Sequence, residues 1–173
     1  YEILEELASG AMATVYKARQ VSLDRPVAIK VLSPDLARDR KFVDRFTKEA
    51  KALSALNHPG IVGIIDRGRA GDLLYLVIEY VAGTTLRYMI DHVDISLRSC
   101  IEIVVQVCSA LEYAHSRGIV HRDVKPENII IGKGSAVKLA DFGLAGITGV
   151  EGRASLTQLT RTTMGMGTFN YMS

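Results

Sequence analysis

The sequence predicts an α+β fold, in which five antiparallel strands and one long helix are followed by a mainly helical part. Segments rich in β-branched and large apolar residues, separated by turn-like residues, dominate about the first 80 residues. Apolar residues at helical spacing then mark two longer amphipathic stretches. Because 48% of the 173 residues are hydrophobic, the chain can bury a sizeable core.

The strands are predicted from short apolar runs that end at glycine, proline or charged residues. The first three runs follow one another across short turns, which favours an antiparallel meander. The predicted strands are Tyr1–Leu7, Thr14–Gln20, Pro26–Leu32, Ile61–Asp66 and Leu73–Glu79. The segment Arg67–Asp72 is predicted to be a hairpin turn between the last two strands.

The long helix of this first part is predicted from a single apolar stripe. Its members recur at steps of three and four, so they share one face of a helix. The stripe consists of Phe42, Phe46, Ala50, Leu53 and Leu56. The helix should end at Asn57–Gly60, because this segment contains Pro59 and the residue before a proline disfavours helix.

The second part is predicted to begin after a linker of small residues, Ala82–Thr84. A short helix should start at about Leu86, and a longer helix should end near Gly118, a residue suited to a left-handed cap. The apolar residues of the longer helix are Ile101, Val104, Val105, Cys108 and Leu111. Short apolar strands are predicted at Ile119–Val120, Ile129–Ile131 and Val137–Leu139, and a long functional or disordered loop at residues 143–173.

Composition excludes several classes of function. The net charge is +2 with both signs interspersed, which gives no footprint for nucleic acid or a membrane surface. No apolar run is long enough for a membrane segment, and no signal peptide opens the chain. The two cysteines, Cys100 and Cys108, are too few for a disulfide framework or a zinc site, so we expect reduced core thiols in a cytoplasmic protein. The cytoplasmic part of a membrane-anchored protein is the alternative.

Two motifs bring together side chains suited to phosphoryl transfer. His121–Asn128 reads HRDVKPEN, and Asp141–Gly143 reads DFG. Transfer from a metal-bound nucleotide needs a carboxylate to orient the attacking hydroxyl, oxygen ligands for the metal, and a cation for the developing charge. The two motifs supply two aspartates, an asparagine and a lysine within about twenty residues of sequence. A reading in which these residues only decorate turns is the weaker alternative.

These motifs resemble those of the protein kinases, and the resemblance extends over the whole chain. Val27–Lys30 matches the VAIK strand, and Glu49 lies where the family keeps the glutamate of its mobile helix. Lys125, two residues after Asp123, is typical of the Ser/Thr branch. Segments such as Gly167–Ser173 are most similar to bacterial eukaryotic-type (Hanks-type) Ser/Thr protein kinases.

The resemblance implies a bilobal protein-kinase-like fold. Residues 1–81 would form the small lobe, and residues 82–173 the hinge and a truncated, mainly helical large lobe ending in the activation and P+1 loop. A kinase domain runs to roughly 250–300 residues, so we expect a fragment of one domain, with negligible activity by itself.

The resemblance also implies catalytic roles. Lys30, held by Glu49, would bind the α- and β-phosphates of ATP. Asp123 would act as the base that orients the substrate hydroxyl and collects its proton, and Lys125 would neutralise the γ-phosphate. The substrates would be Ser and Thr hydroxyls of proteins.

Other residues of the motifs would hold metal or support the site. Asn128 and Asp141 would bind Mg²⁺ through oxygen atoms, with Mn²⁺ as an alternative ion. His121 and Phe142 would stack with Leu53 in a buried column and carry no chemistry.

The adenine pocket is assigned only by the resemblance, since its residues would otherwise be ordinary core positions. The pocket residues would be Val15, Ala28 and Ile130 around the ring, the backbone of Glu79 and Val81 at its edge, and Ile78 as the gate to the space behind it.

The phosphate-covering loop departs from the GxGxxG pattern, because the segment Ala8–Ala13 reads ASGAMA. Leu7, Ala8 and Gly10 would still line the nucleotide site, but alanine replaces both outer glycines. Glycine tolerates positive φ and lets backbone N–H groups approach phosphate. We therefore expect a stiffer lid and weaker ATP binding, without loss of the site.

Regulation is predicted from Arg122, whose guanidinium can pair with a phosphate on the long loop. The resemblance places activating phosphothreonines at Thr160 and Thr162, whereas Thr168 would face the substrate beside Asp123. Phosphorylation by a second copy would imply a transient homodimer. A solvated loop whose hydroxyls carry no phosphate is the alternative.

Two other functions remain open at this point. One is a nucleotide-binding pseudokinase or interaction module, favoured only by the altered glycine loop. The other is a small-molecule kinase of related fold, disfavoured by Lys125–Asn128 and by the Gly167–Thr168 segment that would face a peptide.

Overall fold

The structure, a computed structural model, describes residues 1–142. The sequence predictions for the long loop, including Thr160, Thr162 and Thr168, lie outside the described residues. The strands are β1 Glu2–Ser9, β2 Ala13–Gln20, β3 Arg25–Leu32, β4 Ile64–Ala70, β5 Leu73–Glu79, β6 Gly83–Thr85, β7 Ile129–Gly132 and β8 Val137–Leu139. The α-helices are α1 Pro34–Arg38, α2 Arg40–Leu53, α3 Leu86–His92 and α4 Leu97–His115.

The first five strands form one antiparallel sheet in the order β1-β2-β3-β5-β4, which confirms the predicted α+β fold. Residues directly opposite each other in antiparallel strands point to the same face. Val15 is opposite Lys30, and Ala28 is opposite Ile78. Ala8 is opposite Val15, so these five side chains share one face of the sheet.

Helix α2 covers part of that face. Asp39 caps its N-terminus, because the Asp39 carboxylate accepts hydrogen bonds from the backbone N–H groups of Lys41 and Phe42. The predicted stripe is buried over the length of the helix, and it packs against Ala13 and the β3 and β5 side chains. The buried residues of α2 are Phe42, Phe46, Ala50 and Leu53.

The second sheet, in the order β6-β7-β8, packs on α4 through Ile129, Val137 and Leu139. Helix α4 buries Ile103, Val107, Ala110 and Ala114 along one face. The predicted residues Ile101, Val104 and Val105 are 55–61% exposed. Both faces of α4 are apolar, so hydrophobic spacing alone could not tell which one meets the core.

The cysteine prediction was wrong in part. Cys100 and Cys108 are free thiols, as predicted, but both are exposed. They lie on α4 outside its buried face. The assignment as core thiols relied on the same ambiguous apolar pattern.

Several element boundaries also differ from the prediction. Pro34–Arg38 forms an unpredicted short helix, and Gly83–Thr85, predicted as linker, forms β6. Strand β4 begins at Ile64 because Ile61 instead makes an isolated parallel bridge with Leu139. Residues 119–120 are not a strand. Among the helices of residues 1–142, none is both long and apolar enough to cross a membrane.

Candidate active site

Three parts of the fold converge on one cleft. Strand β3 carries Lys30 on the face of the large sheet that looks toward the small sheet, and α2 carries Glu49 beside it. The loop between α4 and β7 carries Asp123. Strand β8 ends just before Asp141. The site therefore depends on both sheets and on α2.

Lys30 is paired with Asp141 across the cleft. Its Nζ lies 2.6 Å from Asp141 Oδ1, and the two side chains are 2% and 12% exposed. A lysine this deeply buried needs a carboxylate partner, because an isolated charge in the interior is very costly. The predicted partner of Lys30 was Glu49, so the structure differs from the prediction at this pair.

Glu49 is turned toward a different cation. Its Oε1 lies 4.0 Å from Arg122 Nη1, at the limit of an ion pair. Its Oε2 is buried and has no hydrogen-bond partner among the described residues. Burial raises the pKa of Glu49 above its ordinary value, while Arg122 and Arg45 oppose that rise. A buried, unpartnered carboxylate oxygen marks an incomplete arrangement.

Asp123 is held by its own loop. The Asn128 side-chain amide donates to Asp123 O at 2.7 Å and to Asp123 Oδ2 at 2.9 Å, and Asn128 is completely buried. Lys125 Nζ lies 3.2 Å from the same Oδ2. The carboxylate is thus oriented by a neutral donor and by a cation, which suits a group that must hold a fixed direction.

His121 connects the loop that carries Asp123 to the residue before Asp141. Its Nδ1 accepts a hydrogen bond from Asp123 N–H at 3.2 Å, so its Nε2 is the atom that donates to Ala140 O at 2.9 Å. Burial lowers the pKa of His121, which keeps the ring neutral. The ring contacts Phe142, with centroids 4.4 Å apart, and Phe142 packs in the cluster that contains Leu53. This agrees with the predicted buried column.

The backbone is left-handed at two residues of the site. Arg122 has φ 68° and Asp141 has φ 63°. Such conformations are uncommon for residues other than glycine and cluster at functional sites. Arg122 directly follows His121, and Asp141 directly follows Ala140, which accepts the hydrogen bond from His121 Nε2. The left-handed turns at these two residues direct the Arg122 and Asp141 side chains toward the cleft.

The residues assigned to adenine lie around the same cleft. Val15 and Ala28 lie on the Lys30 face of the large sheet, and Ile130 is opposite Thr85 in the small sheet. A small cavity of about 30 Å³ lies beside Ile78. Its lining consists of Lys30, Leu53, Leu56, Ile61, Val62, Ile64, Leu76, Ile78, Asp141 and Phe142.

The segment expected to form the hinge follows β5. Glu79 is its last residue, and its backbone N–H donates to Gly63 O at 2.9 Å. Val81 follows two residues later and lies near Gly132 of β7.

The glycine-poor loop is a tight turn between β1 and β2. Gly10 N–H donates to Ala13 O at 3.0 Å, and the hydroxyls of Ser9 and Thr14 are 3.2 Å apart. Ala13 is 3% exposed and packs in the core, and neither it nor Ala8 has a positive φ. These two positions therefore do not need glycine in this conformation. Leu7, one residue before Ala8, is 42% exposed.

Two residues of the site have the donor chemistry for a divalent cation. Asn128 and Asp141 carry oxygen donors, and they are adjacent in space because Ala140 N–H donates to Asn128 O at 2.8 Å. Among residues 1–142, no three histidine, cysteine or acidic residues form a metal-binding group. One carboxylate plus one amide is a sparse set, and it fits Mg²⁺, which usually keeps water and phosphate ligands.

Sequence reasoning missed one polar contact of the site. Lys138 Nζ lies 2.8 Å from both carboxylate oxygens of Glu79, which joins β8 to the end of β5. The available signal was a lysine between two buried apolar residues of a short strand, Val137 and Leu139. Alternation placed Lys138 on a different face from its neighbours, but did not identify its partner.

Comparison with known proteins agrees with this geometry. The family model described as "Protein kinase domain" matches residues 1–173. The chain is 47% identical to the serine/threonine-protein kinase PknB of Mycolicibacterium smegmatis over 179 residues, covering 100% of this chain and 28% of that protein. It is 41% identical to the serine/threonine-protein kinase PrkC of Bacillus subtilis over 174 residues, covering 100% and 26%.

A solved structure is similar as well. The kinase domain of Mycobacterium tuberculosis PknI superposes with a TM-score of 0.71 at 36% identity, covering 82% of this chain and 59% of that one. The chain spans about a quarter of the length of the curated relatives that it matches. The match over the whole chain, together with the cleft, shows that this chain belongs to the protein kinase domain family.

Proposed function

We propose that the protein is a Ser/Thr kinase that transfers the γ-phosphate of ATP to hydroxyl groups of protein substrates. One observation carries the proposal: Asp123 is fixed by Asn128 and Lys125 in the cleft that also holds the Lys30–Asp141 pair. These are the groups that phosphoryl transfer needs, within one cleft. The relatives named serine/threonine-protein kinases support the choice of substrate class.

In the proposed reaction Asp123 accepts a hydrogen bond from the attacking hydroxyl and collects its proton. Little early deprotonation is needed in a loose transition state, so a carboxylate is basic enough. Lys125, already 3.2 Å from Asp123 Oδ2, supplies positive charge where the transferred phosphoryl group must pass. Lys30 would hold the phosphates that stay with the nucleotide.

Asn128 and Asp141 would hold a divalent cation, Mg²⁺ or alternatively Mn²⁺. A bound cation of this kind neutralises charge that develops on the phosphate oxygens. Lys30 now bonds to Asp141 Oδ1. We infer that Lys30 pairs with Glu49 when nucleotide binds, which would leave Asp141 Oδ1 available to hold a cation.

A second candidate is a nucleotide-binding pseudokinase. Its support is the Lys30–Glu49 separation together with the replacement of two loop glycines by Ala8 and Ala13. Against it, Lys30, Asp123 and Asp141 are all present, and Ala8 and Ala13 adopt ordinary backbone conformations.

Regulation follows from the position of Arg122. Its guanidinium is the cation nearest to the Glu49 carboxylate among the described residues, and its side chain is 56% exposed. A phosphothreonine at Thr160 or Thr162 would attract Arg122 more strongly than the distant Glu49 carboxylate does. We propose that loop phosphorylation draws Arg122 away and frees Glu49 to reach Lys30.

We further propose that residues 1–81 act as the small lobe and residues 82–173 as the hinge and part of the large lobe. Thr168 would face the substrate, and a transient homodimer would carry out the loop phosphorylation. Protein substrates are the proposed partners, without nucleic acid, and the cytoplasm, where ATP is available, is the proposed location.

The first prediction concerns transfer itself. In the full-length protein, Lys30→Met and Asp141→Asn should each lower transfer to a generic basic protein to below about one tenth of the wild-type rate, because each removes a charge that acts on the nucleotide. Transfer is measured with labelled ATP. Lys133→Met and Asp94→Asn, at positions outside the cleft, are the matched controls and should keep the wild-type rate.

Melting temperatures of all four variants exclude loss of fold as the cause. A well-folded Lys30→Met or Asp141→Asn protein that keeps about a tenth or more of wild-type turnover would count heavily against the kinase assignment. Wild-type protein that binds nucleotide but transfers no phosphate would instead favour the pseudokinase.

The second prediction concerns Glu49, whose folded-state pKa is raised by burial. Between its ordinary and its raised pKa the folded state binds more protons than the unfolded state, so the free energy of unfolding falls as pH rises through that window. Glu49→Gln should therefore raise the Tm of the nucleotide-free protein at about pH 7, by about 1–3 °C, and this gain should shrink toward about pH 4.

The same variant should lose phosphate transfer, because the neutral amide that replaces the carboxylate cannot neutralise Lys30. Glu112→Gln, at an exposed position of α4, should change neither property. Thermal melts at several pH values and a transfer assay measure both effects. A Glu49→Gln protein that is less stable at neutral pH than the wild type would contradict the assigned environment of Glu49.

The third prediction concerns the loop. Mass spectrometry of active protein should find phosphate on Thr160 and Thr162, and the double variant Thr160→Ala/Thr162→Ala should lose most transfer activity, because no loop phosphate then competes with Glu49 for Arg122. The control variant Ser155→Ala/Thr157→Ala also removes two loop hydroxyls, and it should keep the wild-type transfer activity. Full activity of the Thr160→Ala/Thr162→Ala variant would rule out this mechanism but leave the kinase assignment intact.

A further inference from the structure

The side chain of Glu79 makes contacts that are separate from the adenine-binding role assigned to its backbone. Its carboxylate is held by Lys138 Nζ, 2.8 Å from each oxygen, and by Gly63 N–H, 3.3 Å from Oε2. The Glu79 backbone N–H in turn donates to Gly63 O at 2.9 Å. Both sides of Glu79 are therefore fixed to groups outside its own strand.

Lys138 belongs to the opposite wall of the cleft. It is directly opposite Ile130 in the β7-β8 pair, so these two side chains share one face of the small sheet. Ile130 is one of the three residues assigned to the adenine ring. Lys138 thus lies on the same face of the small sheet as Ile130, and its Nζ contacts Glu79 at the end of β5 in the large sheet.

The backbone around this ion pair also crosses between the two sheets. Val62 N–H donates to Leu139 O at 3.0 Å, and Leu139 N–H donates to Gly60 O at 2.8 Å. The segment that leads into β4 is therefore bonded to β8, two residues before Asp141. The Glu79–Lys138 pair closes this connection on the hinge side.

A nucleotide must touch both ends of this connection at once. The proposed adenine edge lies on the backbone after β5, and the proposed phosphate and metal groups lie after β8. If the distance between β5 and β8 were not fixed, nucleotide binding would have to fix it, and the free-energy cost of this ordering would lower the affinity. A distance that is fixed before binding avoids this cost.

We propose that Glu79 and Lys138 form a strut that sets the height of the adenine pocket and makes both side chains positioning residues for ATP binding. The inference rests on the proposed function, but it concerns nucleotide binding and does not require turnover. It assigns a purpose to an ion pair that contacts neither phosphate nor substrate hydroxyl.

The expected size of the effect follows from exposure. The Lys138 and Glu79 side chains are 21% and 38% exposed, so solvent weakens their attraction. Partly exposed ion pairs contribute at most a modest amount, and loss of this one should raise the ATP dissociation constant about three- to fivefold. Chemistry at Asp123 should be unaffected, so kcat should stay within about twofold of wild type.

The test uses the full-length protein with Glu79→Gln, Lys138→Met and the double variant. Binding of a non-hydrolysable ATP analogue with Mg²⁺ is measured by calorimetry, and KM for ATP and kcat are measured by phosphate transfer. Each single variant should raise Kd and KM about three- to fivefold, and the double variant should be no weaker than the singles, because they remove the same interaction.

Three further variants control for other causes. Glu102→Gln and Lys133→Met make the same charge changes at positions outside the cleft and should bind the analogue like the wild type. Lys138→Arg keeps the charge and should retain most of the affinity, which a requirement for lysine packing alone would not predict. Melting temperatures identify any variant that fails to fold, and Lys138→Arg then decides the question.

Several results would overturn the proposal. These are wild-type Kd in both single variants, additive losses in the double variant, or a kcat that changes by more than about fivefold while KM stays constant. An inactive wild type would contradict the proposed function, yet the calorimetric comparison would still test the strut.

Discussion

The site depends on one buried positive charge that must always be paired. Lys30 is 2% exposed, and its Nζ lies 2.6 Å from Asp141 Oδ1. Burying an ammonium group without a carboxylate partner would cost about 3–5 kcal/mol, which is a large share of the stability of a typical domain. The position of strand β3 in the sheet is therefore stabilised when the end of β8 or α2 presents a carboxylate. This requirement links the two sheets and the helix.

Two carboxylates can meet that requirement, and one of them does so in this structure. Asp141 holds Lys30, and Glu49 is left with a buried oxygen that has no partner in the described part of the chain. The raised pKa of Glu49 expresses the cost of that arrangement. Glu49 is in an unfavourable environment, while Lys30 already has a carboxylate partner. Charges that enter the cleft can therefore change which carboxylate pairs with Lys30. Nucleotide phosphate, a divalent cation and a loop phosphate all carry such charges.

Much of the fold and of the site could be predicted from the sequence. The stripe from Phe42 to Leu53 predicted α2 because only one face of that segment is apolar, and the β5 boundaries Leu73–Glu79 agree with the structure. Contiguous motifs placed Asp123, Asn128 and Asp141 in one region, since the intervening residues are too few to separate them. Local pattern sufficed for these features.

The remaining features depend on tertiary contacts. Apolar residues lie on both faces of α4, and identifying the buried one requires knowledge of the neighbouring sheet. The partner of Lys30 and the Glu79–Lys138 contact each join residues far apart in sequence. Strand β6 forms at a predicted linker because its neighbour β7 supplies hydrogen-bond partners, which propensity does not include.

The exchange of partners by Lys30 is the central claim, and a crystal structure of the full-length, loop-phosphorylated protein with a non-hydrolysable ATP analogue and Mg²⁺ tests it most directly. The Lys30 Nζ to Glu49 carboxylate distance should fall to about 3 Å, with Asp141 released from Lys30 and Arg122 moved away from Glu49. A nucleotide-bound structure in which Lys30 still bonds to Asp141, and Glu49 Oε2 is still buried without a partner, would contradict the account.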